Sequence, residues 1–284
     1  MSRLATIRPA GQFMRSFDSN LQQEFTNEDL VRLAPSVGAT SGSMRTSTKY
    51  KHISTLEIVD LLREDGWYPA AIQECRALSE ERKGFQRHMI RFQHPDYYYN
   101  GERVESILTN SHDAGSSYQF NIGVFRLICS NGMIAGNTVG SIRIMHMGYN
   151  PIHVKEASKK LLQQADTIGD KLRLFKTIQL TQDEAKILAE TTIEAVYGEP
   201  AKAPIHHTQL LTRRRAFDKA DDLWTTTNVI QENVMKGGLK GKNQAGRWTS
   251  TRAVKSIDRD LKINTAIWSL AEKMAELKTA EMGY

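Results

Sequence analysis

The chain has 284 residues, 40% of them hydrophobic and 25% charged, which excludes collagen-like, disordered and coiled-coil compositions. That length admits one large domain or two small ones, and with no Pro/Gly/Ser linker dividing it cleanly the chain reads as one domain with appendages. The net charge of +6 is unevenly placed: in residues 232–256 six cations (Lys236, Lys240, Lys242, Arg247, Arg252, Lys255) face Glu232 alone, leaving +5 there and +1 elsewhere. Such asymmetry points to a polyanionic partner.

Residues 1–50 read as a polar, irregular N-terminal arm, in which the Ser/Thr/Gly cluster 36–48 has no helical or strand period. A helix follows, with Ser54 as N-cap, Glu57 as its capping-box partner, Leu56, Val59 and Leu62 on one stripe, and Gly66 as its end. From residue 67 the period falls towards two. Residues 68–78, 84–94 and 103–109 read as three strands of an antiparallel meander joined by the turns SEERKG and PDYYYNGE. Alternation in the middle strand puts His88, Ile90 and Phe92 on one face and Arg87, Met89 and Arg91 on the other. Residues 116–134 fit two descriptions. Tyr118, Phe120, Ile122 and Val124 alternate as in a strand, yet Ser116 can cap a helix that Asn131-Gly132 would end. Gly-punctuated strands are expected over 133–146, with Ile142 and Ile144 against Arg143 and Met145.

The second half changes period. Val154, Ala157, Leu161, Ala165, Ile168, Leu172 and Phe175 repeat at spacings of three and four, the mark of an amphipathic helix. Thr181 with Glu184 opens a further helix ending at Tyr197-Gly198. A connector (199–209), a helix over 210–234 carrying Arg213-Arg214-Arg215, a basic Gly-rich loop (236–252) and a last helix on Ile257, Leu261, Asn264, Trp268, Ala271, Met274 and Leu277 complete the order. The expected fold is α+β: an antiparallel meander with a packed helix in the N-terminal half and a mainly helical C-terminal half. Its divisions are the arm (1–50), a β-rich core (51–150) and a helical region (151–284).

Catalytic signals are weak. Asn110, Ser111, His112 and Asp113 are adjacent, whereas a triad converges from separated positions; before Gly115 these residues suit a turn or cap, the role expected of Asn110, His112 and Asp113. Eight histidines, among them His88, His94, His112 and His146, show no metal-ligand spacing, so no metal is expected. Cys75 and Cys129 form no CxxC pair, and Cys129 in its apolar run reads as a small buried hydrophobe. Neither a P-loop nor a dinucleotide fingerprint is present, so no cofactor and no enzymatic activity are expected. Residues 1–10 hold no apolar core and the uncharged run 127–142 is broken by Ser130, Asn131, Gly132, Gly136 and Asn137, which argues against secretion and membrane insertion, and two cysteines without a disulfide framework fit a reduced cytoplasm. The basic segment differs in kind: glycines, regularly spaced cations and Trp248 between Arg247 and Arg252 suit a cationic strap for a phosphate backbone with an indole to stack on a base.

The stretches YKHISTLEIVDLLREDGWYP, RHMIRF, ILTNSHDAGSSYQFNIGVFRLICSNGMIAG and NVMKGGLKGKNQAGRWTSTRAVKSIDRDLKINTAIWSLAEKM resemble a family of uncharacterised phage, prophage and plasmid proteins known as a numbered domain of unknown function. The resemblance spans residues 32–277 and implies a mobile-element protein of a bacterial cytoplasm without an established activity. The order of a helix ending at Gly66-Trp67 followed by a three-stranded meander is similar to the core of phage single-strand annealing proteins and their ring-forming relatives, which implies strand binding in a cationic groove of an oligomer. The expectation is a non-enzymatic protein binding single-stranded nucleic acid, DNA before RNA, as a homo-oligomer and promoting annealing. Its contacts would be Arg87, Arg91, Lys236, Lys240, Lys242, Arg247, Trp248, Arg252 and Lys255. The alternative is a protein-binding factor that inhibits or redirects a host enzyme.

Overall fold

A computed structural model describes residues 4–5, 25–77, 79–99, 102–126, 132–134, 142–144, 152–199 and 202–281. Antiparallel strands dominate the first half and helices the second, so the fold is α+β. The chain divides into two compact units, Met1–Gly132 with Val139–Thr167, and Met133–Thr138 with Ile168–Tyr284.

In the first unit, strands β1 (Leu4–Ala5), β2 (Tyr68–Cys75), β3 (His88–Tyr99), β4 (Glu102–Asn110) and β5 (Tyr118–Arg126) succeed one another in an antiparallel sheet. After β6 (Gly132–Ile134), β7 (Ile142–Ile144) also pairs with β5. Residues 116–134 are therefore strand wherever they are described in a regular element: Phe120 and Val124 are buried by the alternation that the sequence carries. Strand β3 continues through Tyr97–Tyr99, and Tyr98 and Tyr99 pair with Arg103 and Glu102, so the tyrosines expected in a turn lie in a strand. Cys129 and His146 lie outside the described residues.

The irregular arm expected over 1–50 contains helix α1 (Asn27–Leu33) and a 3-10 turn, Pro35–Gly38. Thr26 and Asp29 cap each other reciprocally, and Leu30, Leu33, Ala34 and Val37 are fully or nearly fully buried at helical spacing. The stripe is too short to stand out among polar neighbours, and its stability comes from what it packs on. Helix α2 (Thr55–Glu64) starts at the expected cap, with the Ser54 hydroxyl accepting the Glu57 N–H at 3.3 Å, but the return bond from the Glu57 side chain that would complete the expected capping box is not made. Its buried face is Thr55, Ile58, Val59 and Leu62, turned from the expected stripe because Thr55 points inward.

One sheet face carries two rows. Ile72, Ile90, Leu108 and Phe120 stand in register across β2, β3, β4 and β5, and beside them Glu74, His88 and Asn110 form a polar row. Burying that row demands partners, and Thr55 supplies the hub. Its Oγ1 lies 2.9 Å from Tyr118 Oη, 3.1 Å from His88 Nε2 and 3.2 Å from His112 Nε2. Because the Tyr118 hydroxyl donates to Ile53 O at 2.8 Å, Thr55 gives its proton to Tyr118 and His88 donates from Nε2. His88 Nδ1 then accepts from the Ser36 hydroxyl at 2.9 Å, while the Ser36 N–H donates to Glu74 Oε1 at 2.8 Å. This network fastens the 3-10 turn and α2 to the sheet.

In the second unit, the C-terminal part of helix α3 (Ile152–Thr177), from Ile168 on, contributes Ile168, Leu172 and Phe175 to a core shared by helices α4 (Gln182–Tyr197), α6 (Leu223–Lys236) and α7 (Ile257–Glu281). Trp268 sits 5.3 Å from the Phe175 ring and 6.4 Å from Trp224. Helix α4 has the Thr181/Glu184 capping box and ends at Gly198, as the sequence implies. Leu277, expected on the apolar stripe of α7, is exposed. The helix expected over 210–234 is two: α5 (His207–Leu210) and α6, separated by an irregular stretch with Arg213, Arg214 and Arg215. Asp222 caps α6 through the Thr225 N–H at 2.7 Å, a start signal hidden among neighbouring acids.

The buried His88 gives the first unit a defined acid weakness. Burial lowers its pKa from 6.5 to about 4. Between those values the unfolded chain binds the proton and the folded one does not, so stability is full above pH 6.5 and falls as pH drops towards 4. Denaturant melts across that window should show a loss of up to ~1.4 kcal/mol per pH unit from this group. His88→Gln should flatten the dependence by about one proton, and an unchanged slope would contradict a neutral His88.

Candidate nucleic-acid interface

Helix α6 is buried on nearly every side, and its last residues set the direction in which the chain leaves it. Gly237 caps it at φ +62, where a Cβ would press on the backbone of Thr251 and Arg252. The chain then forms a ribbon, β8 (Lys240–Lys242) paired with β9 (Trp248–Ser250), rather than the expected loop. Its turn is built by Asn243, whose side-chain oxygen accepts the N–H groups of Ala245 and Arg247, and by Gly246 at φ +73.

Lys240 stands opposite Ser250 and Lys242 opposite Trp248, so these four share a face, and Gly241 with Thr249 takes the other. At Gly241 this second face is closed by the backbone of Pro204 and Ile205, leaving no room there for a side chain. The pleat therefore turns Lys240, Lys242 and Trp248 away from the body. Trp248 is 74% exposed, with Lys242 Nζ 5.6 Å from its ring centroid. Among the described residues, Lys240, Lys242, Arg247, Arg252 and Lys255 are exposed and have no carboxylate within ion-pair distance.

The cations around the foot of the ribbon are engaged internally. Glu232 on α6 is 4% exposed and bound by Arg215 at 2.6 Å and by Lys236. Burial pushes its carboxyl up, but hydrogen bonds and charge from Arg215 and Lys236 outweigh burial and hold the pKa at about 2. Lys236 is thus a salt-bridge partner before it is a contact. Arg213 pairs with Asp221, and Arg214 donates to Asn233 Oδ1 and Gly237 O, each at 2.6 Å. The arginine triplet, read from sequence as part of a helix, is a clamp at the base of the ribbon. What hid it was the missing partner: Glu232 and Asn233 lie 17 and 19 residues away.

Arg87 and Arg91 belong to the first unit. Arg91 Nε donates to Glu105 Oε2 at 2.6 Å, Glu105 is 1% exposed, and Gln93 Nε2 donates to its other oxygen at 2.6 Å. Arg87 donates to Thr109 Oγ1 at 3.5 Å. Asp113 accepts the Gly115 N–H at 2.9 Å and Ser111 Oγ accepts the Ser116 N–H at 2.9 Å, with Ala114 at φ +62 between them. Asn110 and His112 point instead into the Thr55 cluster, both fully buried. Ser36, Thr55 and Tyr118, the other halves of that cluster, are remote in sequence and carried no signal of their own. Among the described residues no group of His, Cys, Asp or Glu could hold a metal ion, and no helix is long and apolar enough to cross a membrane.

The Arg91–Glu105 pair separates structure from binding. Arg91→Ala leaves Glu105 buried without its cation and should destabilise the protein by about 3 kcal/mol in a denaturant melt. A variant of wild-type stability would free Arg91 from that structural role.

Residues 44–268 match the model of a domain of unknown function, DUF932. Two Escherichia coli K12 proteins, UPF0380 protein YfjQ and UPF0380 protein YafZ, are each 34% identical to this chain over 274 residues, covering 96% of it and 98% of their own length. No solved structure matches the chain. With a match running from Met44 to Trp268, through the buried His112 cluster and the whole ribbon, the chain belongs to the DUF932 family of uncharacterised proteins.

Proposed function

We propose that this protein binds single-stranded nucleic acid, DNA in preference to RNA, through the outward face of the β8–β9 ribbon. The observation that carries the proposal is Trp248, three-quarters exposed, on the same ribbon face as Lys240 and Lys242 and flanked in sequence by Arg247 and Arg252. An exposed indole costs solubility unless something uses its face, and an unpaired base does so at ~1–3 kcal/mol per stack. The neighbouring unpaired cations suit phosphates spaced along an extended strand. Lys240, Lys242, Arg247, Arg252 and Lys255 are the proposed phosphate contacts, Lys236 a weaker one because Glu232 holds it, and Arg87 and Arg91 are left out. The role is non-enzymatic: strand binding, as a homo-oligomer, in the annealing reactions of a phage, prophage or plasmid within a bacterial cytoplasm.

Titrating the protein with labelled oligothymidylate across a salt series tests this. Five contacts at ~0.7 each give a log–log slope of about −3.5. Changing Lys240, Lys242 and Arg247 together to Gln should make the slope shallower by about 2 and leave the melting temperature unchanged, since all three are exposed. Trp248→Ala should weaken binding without altering the slope, because stacking releases few ions. A slope near zero in the unaltered protein would remove the proposal and favour the protein-partner alternative.

A further inference from the structure

A cationic ribbon binds a strand well only if its side chains are held on one side before the strand arrives, because every residue ordered on binding subtracts from affinity. The segment 204–215 meets the ribbon at three places. Pro204 and Ile205 close against Gly241, with the Pro204 carbonyl carbon only 2.8 Å from where a Cβ would stand and its oxygen nearer still. Gln209 on α5 donates from Nε2 to Lys240 O at 2.9 Å. Arg214 grips Gly237 O at the ribbon's root, and its other partner, Asn233, donates to Leu210 O at 2.9 Å and Thr212 O at 2.8 Å. Two of these contacts fall on backbone carbonyls and the third on a glycine that admits no side chain, so all of them act on the path of the ribbon and none uses up a ribbon cation.

We infer that Gly241, Gln209 and Arg214 are positioning residues for strand binding: with Pro204 they hold the β8–β9 ribbon in one orientation so that Lys240, Lys242 and Trp248 form a ready-made surface. This rests on the ribbon being the strand-binding face. Gly241→Ala meets backbone at Pro204 and has to lift the ribbon away, whereas Gln209→Ala removes two exposed hydrogen bonds, the one to Lys240 O and the one its Oε1 accepts from the His206 N–H at the start of α5, and disturbs nothing buried.

The ribbon supplies its own reporter, since Trp67, Trp224 and Trp268 are each no more than 1% exposed and Trp248 is the exposed indole. Time-resolved tryptophan anisotropy without DNA should show a new fast component in Gly241→Ala and a smaller one in Gln209→Ala. Oligothymidylate affinity should fall roughly tenfold in the first and less in the second, with the salt slope of the unaltered protein retained because no phosphate contact is lost. A ribbon as still in both variants as in the unaltered protein overturns the inference, whether or not DNA binds. A loosened ribbon with undiminished affinity overturns it too, as does a shallower slope. Failure of the unaltered protein to bind any oligothymidylate strikes instead at the proposed function, and the anisotropy then stands as the test of what holds the ribbon. Should Gly241→Ala fail to fold, Gln209→Ala carries both readouts.

Discussion

A carboxylate taken out of water must find a cation, and in the helical unit that requirement decides which basic residues remain available. Glu232 lies on the most enclosed helix, and Arg215 and Lys236 converge on it strongly enough to hold its pKa at about 2. With Arg214 committed to Asn233 and Gly237, and Arg213 to Asp221, the cluster that looks most basic in sequence is spent on architecture. The exposed cations of the ribbon and of residues 252–255 are among those left for a partner. Charge counted along a sequence locates a basic region; pairing in three dimensions tells which part of it faces outward.

The sheet unit obeys the same rule with neutral groups. Its polar row could have been a weakness, but Ser36 and Thr55 bond both ring nitrogens of His88, Thr55 and Asn110 reach Nε2 of His112, and Tyr118 anchors Thr55, which ties three segments distant in sequence. The NSHD stretch is divided by this arrangement: Ser111 and Asp113 build the turn around Ala114, and Asn110 and His112 reach inward. Full burial of Asn110 and His112 makes them parts of a scaffold, which suits residues placed at the junction of a strand and its turn.

Elements with a long period or a strong boundary were legible in the sequence. The stripe from Ala157 to Phe175, the Thr181/Glu184 box and the alternation of His88, Ile90 and Phe92 each reappear in space. Short or partner-dependent elements were not. Helix α1 is seven residues long, and the tyrosines of β3 look like turn residues until Glu102 and Arg103 pair with them. At the candidate site, the cations and Trp248 were readable, but a Gly-rich stretch suggested a strap where the structure has a ribbon. Gly241 is there because the Pro204 backbone passes against it, a reason no local pattern contains. Arg91 illustrates the converse: its place on the strand could be read from alternation, whereas its use depends on Glu105, which sits two pairs along the neighbouring strand.

Trp248 is the point at which the outward face of the ribbon is proposed to touch the strand, and intrinsic fluorescence tests that contact directly. With the other three tryptophans buried, acrylamide quenching of the free protein reports chiefly on Trp248. Saturating the unaltered protein with oligothymidylate should shift its emission and protect it from acrylamide, because the stacked base takes the place of solvent on the ring. Saturation, verified by the anisotropy of a labelled strand, with emission and quenching both unchanged would mean that the strand binds elsewhere, and would contradict a binding role for the ribbon face.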